Sequence, residues 1–258
     1  MKHCSSPVAT KLLGLLLCMM ALVVFAFAPA AFGRAGKKEL LGNAAGLSRE
    51  TFANAMKDGK PLIDNWLKAS EAYNSYQFNY QMTVYKSDGT TTDTGNLFFK
   101  KKRLLRIEQT GGPKKGSVAV LTADGKVRAH TGGALKFFTA TLSPDSNMLL
   151  SANGWPMVKS DFVSLAEAVE GYIKSGDYPR MTETPGQVGN RPEKVNVFEL
   201  YKGGPSGALF KRALFDPETN LPVEWWDYKD GSLWAHSTWN NFKAATLSDN
   251  VFTIKGDK

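Results

Sequence analysis

The sequence predicts an α+β fold made of one curved antiparallel sheet and a few helices, and three observations carry that reading. Tyr76, Phe78, Tyr80, Met82 and Val84 alternate with polar Gln77, Asn79, Gln81 and Thr83, the period-two pattern of a strand with one apolar face. The C-terminal part is a meander of short apolar runs, Val195 to Tyr201, Ala208 to Phe215, Val223 to Tyr228 and Ser232 to Phe242. Asp216-Pro217-Glu218-Thr219-Asn220 and Lys229-Asp230-Gly231 supply its turns. Finally, two segments keep a helical period and punctuate an otherwise strand-rich chain.

The elements follow in order. Ser48 caps a short amphipathic stretch with Phe52 and Met56, and Pro61 opens a better helix whose Leu62, Ile63, Trp66, Leu67, Ser70 and Tyr73 lie along one stripe. After the first strand, the turn signal Ser87-Asp88-Gly89 leads to a second strand, Gly95 to Phe99, then to Lys100-Lys101-Lys102-Arg103 and a third apolar run, Leu104 to Ile107. Ala123-Asp124-Gly125-Lys126 stands as a turn between Val118–Leu121 and Val127–Ala129. Phe137-Phe138 precede an irregular segment, Ser143 to Pro156. Ser160 or Asp161 then caps the second helix, whose Phe162, Leu165, Ala166, Val169, Tyr172 and Ile173 form the apolar face before Ser175-Gly176 ends it. Tyr178 to Pro192, built from Pro, Gly, Thr and Asn, reads as a surface loop within one domain, because too little chain remains on either side for independent cores.

Lys2 and Lys11 precede an apolar run from Leu12 to Phe27, and small residues end at Ala31-Phe32-Gly33 before charged Arg34-Ala35-Gly36-Lys37-Lys38. This is a secretory signal over residues 1–33 with cleavage after Gly33, Ala28-Pro29-Ala30 being the second choice, or else an uncleaved inner-membrane anchor. Residues 34–47 read as a flexible leader and 48–258 as a single domain. Both cysteines, Cys4 and Cys18, fall in the signal, which leaves the exported chain without disulfides or thiol chemistry. The formal charge of +8 falls by two with Lys2 and Lys11, and the surface remains basic enough to meet an anionic membrane. A nucleic-acid partner is not expected, since basic-helix and aromatic nucleoprotein signatures are lacking.

Signals for chemistry are sparse. His130 and His236 stand apart from any metal-ligand spacing and read as strand residues. Strand-to-helix nucleophile elbows and phosphate loops are missing, and Glu167 and Glu170 flank a helix stripe as a solvated face. Neither an enzyme, a metal nor a cofactor is expected.

The order of an aromatic strand, the glycine-led Gly95–Phe99, the basic corner and a further strand resembles the N-terminal half of the LolA/LolB-like lipoprotein carriers. The turn at Ala123–Lys126 and the run Asp249-Asn250-Val251-Phe252-Thr253-Ile254, similar to a short closing strand, extend the resemblance. It implies an incomplete β-barrel with helices packed as a lid, holding an acyl chain, lipid or lipoprotein in a periplasmic hydrophobic cavity. On that resemblance Phe78, Tyr80 and Met82 form one cavity wall, with Phe98 beside them and Trp66 on the lid. Lys101 takes the place of the family's basic latch, in a corner that reads Lys100-Lys101-Lys102 where the family has Lys-Arg-Pro. A solvated corner is the other reading of that run. Two further functions stay open: an envelope-stress or protein-interaction module of the same fold with a filled cavity, and a polysaccharide-handling envelope protein.

Overall fold

The computed structural model describes residues 56–135, 137–189 and 191–254. The expected signal, the leader and the stretch capped by Ser48 lie outside these residues, apart from Met56. In chain order the elements begin with β1 (Met56–Asp58), α1 (Lys60–Ala72), β2 (Ser75–Lys86), β3 (Gly89–Lys100), β4 (Leu104–Gly111), β5 (Val118–Leu121), β6 (Val127–His130) and β7 (Ala140–Leu142). They continue with α2 (Phe162–Lys174), β8 (Tyr178–Thr182), β9 (Gly186–Gln187), β10 (Lys194–Tyr201), β11 (Leu209–Phe215), β12 (Pro222–Lys229) and β13 (Ser232–Ala244). One sheet runs β1-β8-β10-β11-β12-β13-β2-β3-β4-β5-β6-β7, with β9 on β10, and its two ends do not pair, so the sheet is not closed into a barrel. The C-terminal meander and the N-terminal hairpins are thus joined edge to edge through β13 and β2.

Local chemistry sets both helices. Pro61 sits in the first turn of α1, where its missing N–H is no loss, and Asp58 accepts from the Lys60 amide at 3.0 Å. Leu62, Ile63 and Trp66 turn inward, and Trp66 meets Phe215 edge-on at 5.2 Å between ring centroids. The N-cap of α2 is Asp161, which accepts from Ser164 N at 2.9 Å, while Tyr76 Oη accepts from Phe162 N at 2.9 Å. An inward residue of the first strand therefore fixes the start of the second helix. Burial, with the Asp161 charge behind it, pushes the Tyr76 hydroxyl well above the usual tyrosine value.

Two segments differ from expectation. The supposed loop 178–192 contributes β8, which pairs with β10 on one side and β1 on the other, and β9. Its Pro179 is tolerated because the three-residue β1 spans only Arg180 to Thr182, and Gly59 N donates to Pro179 O at 3.2 Å. The expected closing strand is a 3-10 turn, Asp249–Phe252, lying on the outer face with Phe252 and Ile254 packed against Val120. Its backbone is satisfied by side chains in place of a ladder: Arg106 donates to Val251 O (3.2 Å) and Thr253 O (2.9 Å). Among the described residues, no helix is long and apolar enough to cross a membrane.

Candidate functional site

Strands β11, β12, β13 and β2 to β7 all contribute to one cavity of about 750 Å³. Laid flat, nine strands would span roughly 38 Å, whereas a compact cavity of that volume is only about 11 Å across, so the sheet must curl around it. The opposite wall is α2, through Leu165, Ala168, Val169 and Tyr172, and the segment from Asn147 to Ser160 covers it. Apolar Leu97, Ile107, Ala119, Ala129, Ala140 and Leu142 dominate the strand wall. Phe138 and Met148, two of the large apolar side chains most exposed to solvent, also border this space.

The cover is tied down by a lysine. In the hairpin between β4 and β5, Lys114 Nζ donates to Leu150 O at 2.9 Å and to Met148 O at 3.4 Å. At the same end of β4, Gln109 Oε1 is buried without a partner among the described residues. Asp93, almost fully buried, also has one oxygen without a partner there, and burial raises its carboxyl above the usual range against a smaller opposing pull from Lys114. Tyr80 lies across Gly95, where a Cβ would sit 2.6 Å from the tyrosine oxygen and 2.3 Å from Glu108 O. Glycine is what lets that ring lie flat on β3. Burial, helped by the Asp93 charge, pushes the Tyr80 hydroxyl up.

The structure brings together Phe78, Tyr80 and Met82 on the cavity wall. Trp66 stands elsewhere: it is fully buried against Phe215 and Trp225, in the packed part of the core under α1, and the helix that borders the cavity is α2. Phe98 points to the outer face among Val120, Leu247 and Phe252, and Leu97 occupies the cavity position. The two-residue turn after Lys86 pairs Phe78 with Leu97 and Gln77 with Phe98, so counting back from Ser87-Asp88 is the signal that would have assigned the parity.

Lys101 makes no side-chain bond among the described residues, and its backbone N donates to Asn74 O at 2.7 Å. Its corner closes β3 onto β4, at the opposite end of β4 from the hairpin carrying Lys114. The neighbouring Lys100 is the bonded one, reaching Leu247 O at 2.9 Å and Asp249 at 2.7 Å on the outer face. His130 lines the cavity at the end of β6, whereas His236 stacks on Trp226 at 5.1 Å and faces Glu224 at 2.8 Å. Among the described residues, no group of three or more His, Cys, Asp or Glu is placed to hold a metal ion.

No family model matches the sequence, and no curated protein matches it. Similar solved structures include an uncharacterized conserved protein from Thermus thermophilus, at 13% identity and TM-score 0.46, covering 75% of this chain and 91% of that one. MucB is similar at 13% identity and TM-score 0.47, over 79% of this chain and 64% of MucB. A LolA superfamily protein from Nitrosomonas europaea is similar at 10% identity and TM-score 0.38, over 76% and 98% of the two chains. These overlaps are loose and carry nothing about ligand or partner. Among the described residues the fold is an unclosed antiparallel sheet with two helices packed against it, the architecture that the resemblance in the sequence implies.

Proposed function

We propose that this chain is a binding or carrier protein of the bacterial envelope that holds the acyl part of a lipid or lipoprotein in the cavity between α2 and the sheet. The observation that supports the reading is the cavity: its volume of about 750 Å³ falls within the range of small-molecule sites, and its wall is chiefly aliphatic and aromatic. About ten methylenes at about 0.8 kcal/mol each supply about 8 kcal/mol, the free energy of a micromolar Kd. Unfilled space on the inner side of β2 to β7 favours a carrier over an interaction module whose cavity is packed shut. Export through the signal at residues 1–33 would place the protein in the periplasm, where acylated partners are met.

The test is solvent extraction and native mass spectrometry of protein purified without detergent, followed by titration with an environment-sensitive acyl probe. A co-purified acyl species, or saturable one-to-one probe binding near micromolar concentration, is the expected result. Protein that yields no acyl species and leaves the probe in water would overturn the reading.

A further inference from the structure

Where β11 and β12 form the flank of the cavity, its apolar wall is interrupted by charge. Lys211 and Asp227 are register partners across the two strands, and Lys211 Nζ donates to Asp227 Oδ1 at 2.6 Å. Both line the cavity, with side chains only 16% and 18% exposed. Asp227 Oδ1 also accepts from Trp225 Nε1 at 3.1 Å. The ammonium lies 5.3 Å from the ring centre of Tyr172 on α2 and 5.8 Å from that of Trp225 on β12, two aromatic residues that also line the cavity. Among the described residues, Asp227 Oδ2 and two of the three Lys211 N–H bonds are left without a partner.

A wall that served hydrocarbon alone would gain nothing from an ion pair held in so apolar a place, because desolvating the two charges is costly. What the pair offers a ligand is two hydrogen-bond donors beside one acceptor, with no net charge. A carboxylate or phosphate head would match the lysine but set its own charge against Asp227. A quaternary ammonium head would meet the reverse problem at Lys211. Both side chains are largely buried, so water screens either mismatch only in part. An uncharged head with both an acceptor and an O–H or N–H satisfies both partners at once.

Resting on the acyl-binding reading, we infer that the cavity selects acyl compounds with uncharged, hydrogen-bonding heads of the acylglycerol or acylamide kind, and that Lys211, Asp227 and Trp225 hold the head. The chain then extends along the aliphatic wall toward Ile107 and Leu142.

The experiment is displacement of the acyl probe by four ligands of one chain length, all below their critical micelle concentrations: dodecanoate, monododecanoylglycerol, dodecanamide and dodecyltrimethylammonium. For the unaltered protein, the glycerol ester and the amide displace the probe at concentrations at least about tenfold lower than the two charged ligands. Asp227→Asn leaves the lysine charge unbalanced and moves the ranking about tenfold toward dodecanoate, and Lys211→Met moves it equally toward the ammonium. The double variant Lys211→Met/Asp227→Leu strands no charge, so it guards against misfolding of the single variants. Its readout is the ranking, in which all four ligands fall within about threefold of one another whatever the affinity for the probe.

Equal displacement by charged and neutral ligands in the unaltered protein, or a neutral preference that survives in the double variant, would overturn the head-group inference and leave acyl binding standing. Failure of the unaltered protein to bind the probe at all would overturn both.

Discussion

The inner side of the sheet is full at one end and hollow at the other, although the strands alternate in the same way at both. Under α1, Trp66, Phe198 and Phe215 are completely buried and close the space between helix and strands. Under α2, the facing positions are Ala119, Ala129 and Ala140 on the strands and Ala168 on the helix, and a cavity of about 750 Å³ remains. On the hollow side these small side chains stand between larger ones such as Leu97, Ile107 and Leu142. Period-two patterning decides which face is apolar, and residue size decides whether that face is a core or a container.

The largest expected contrast follows directly. Trp66→Ala removes a packed indole from the filled end and should lower stability by about 3–5 kcal/mol in denaturant unfolding. Ile107→Ala, on the hollow side, should cost about 1 kcal/mol, since its neighbours already lack contacts on one side, while weakening the acyl probe severalfold. Comparable losses at the two sites would erase the distinction between the ends.

Asp93, buried on β3, provides a smaller, pH-dependent test. Its folded-state pKa is raised, so the folded protein holds this proton more tightly than the unfolded chain does. The stability associated with it is complete below the ordinary carboxylate value and is lost as pH rises from there through the raised folded value. Asp93→Asn should therefore stabilise the protein by about 1 kcal/mol at neutral pH, the scale of one buried unmade hydrogen bond. Thermal unfolding should show that advantage shrinking in acid, and a constant advantage across pH would contradict the assignment.

Smaller still is the effect expected at the cover. Lys114→Met removes two bonds to the Met148–Leu150 backbone and should speed probe entry and release severalfold, with a stability change under about 1 kcal/mol. Lys101→Met, in an exposed corner at the other end of β4, should leave stopped-flow rates unchanged. Equal acceleration by both would return the basic corner to the role that the family resemblance implies.

Much of this architecture is legible in the chain because local chemistry and packing agree. Pro61 and Asp161 mark the helix starts, Tyr76 to Val84 marks the first strand, and the meander strands lie within one residue or two of their sequence limits. Pro179 and the surrounding turn residues hid β8, because pairing from both sides outweighs one missing N–H. Asp249 to Ile254 read as a strand, yet Arg106, distant in sequence, claims its carbonyls. The bonds from Lys114 to the covering segment were not readable at all. Lys114 and Lys101 are alike as residues, and only the folding of the β4–β5 hairpin against the covering segment separates them. The Lys211–Asp227 pair was hidden for the same reason, since its members meet only through strand register.

Ala119→Leu combined with Ala168→Leu, from the strand wall and the helix wall, tests the claim that the hollow end is a built container. If the space is empty and accessible, the added methylenes fill it, stability is unchanged or rises by about 1 kcal/mol, and acyl-probe binding falls at least about tenfold. If that end is in truth a packed core, the same pair will overpack it, costing about 1–3 kcal/mol, with no binding to lose.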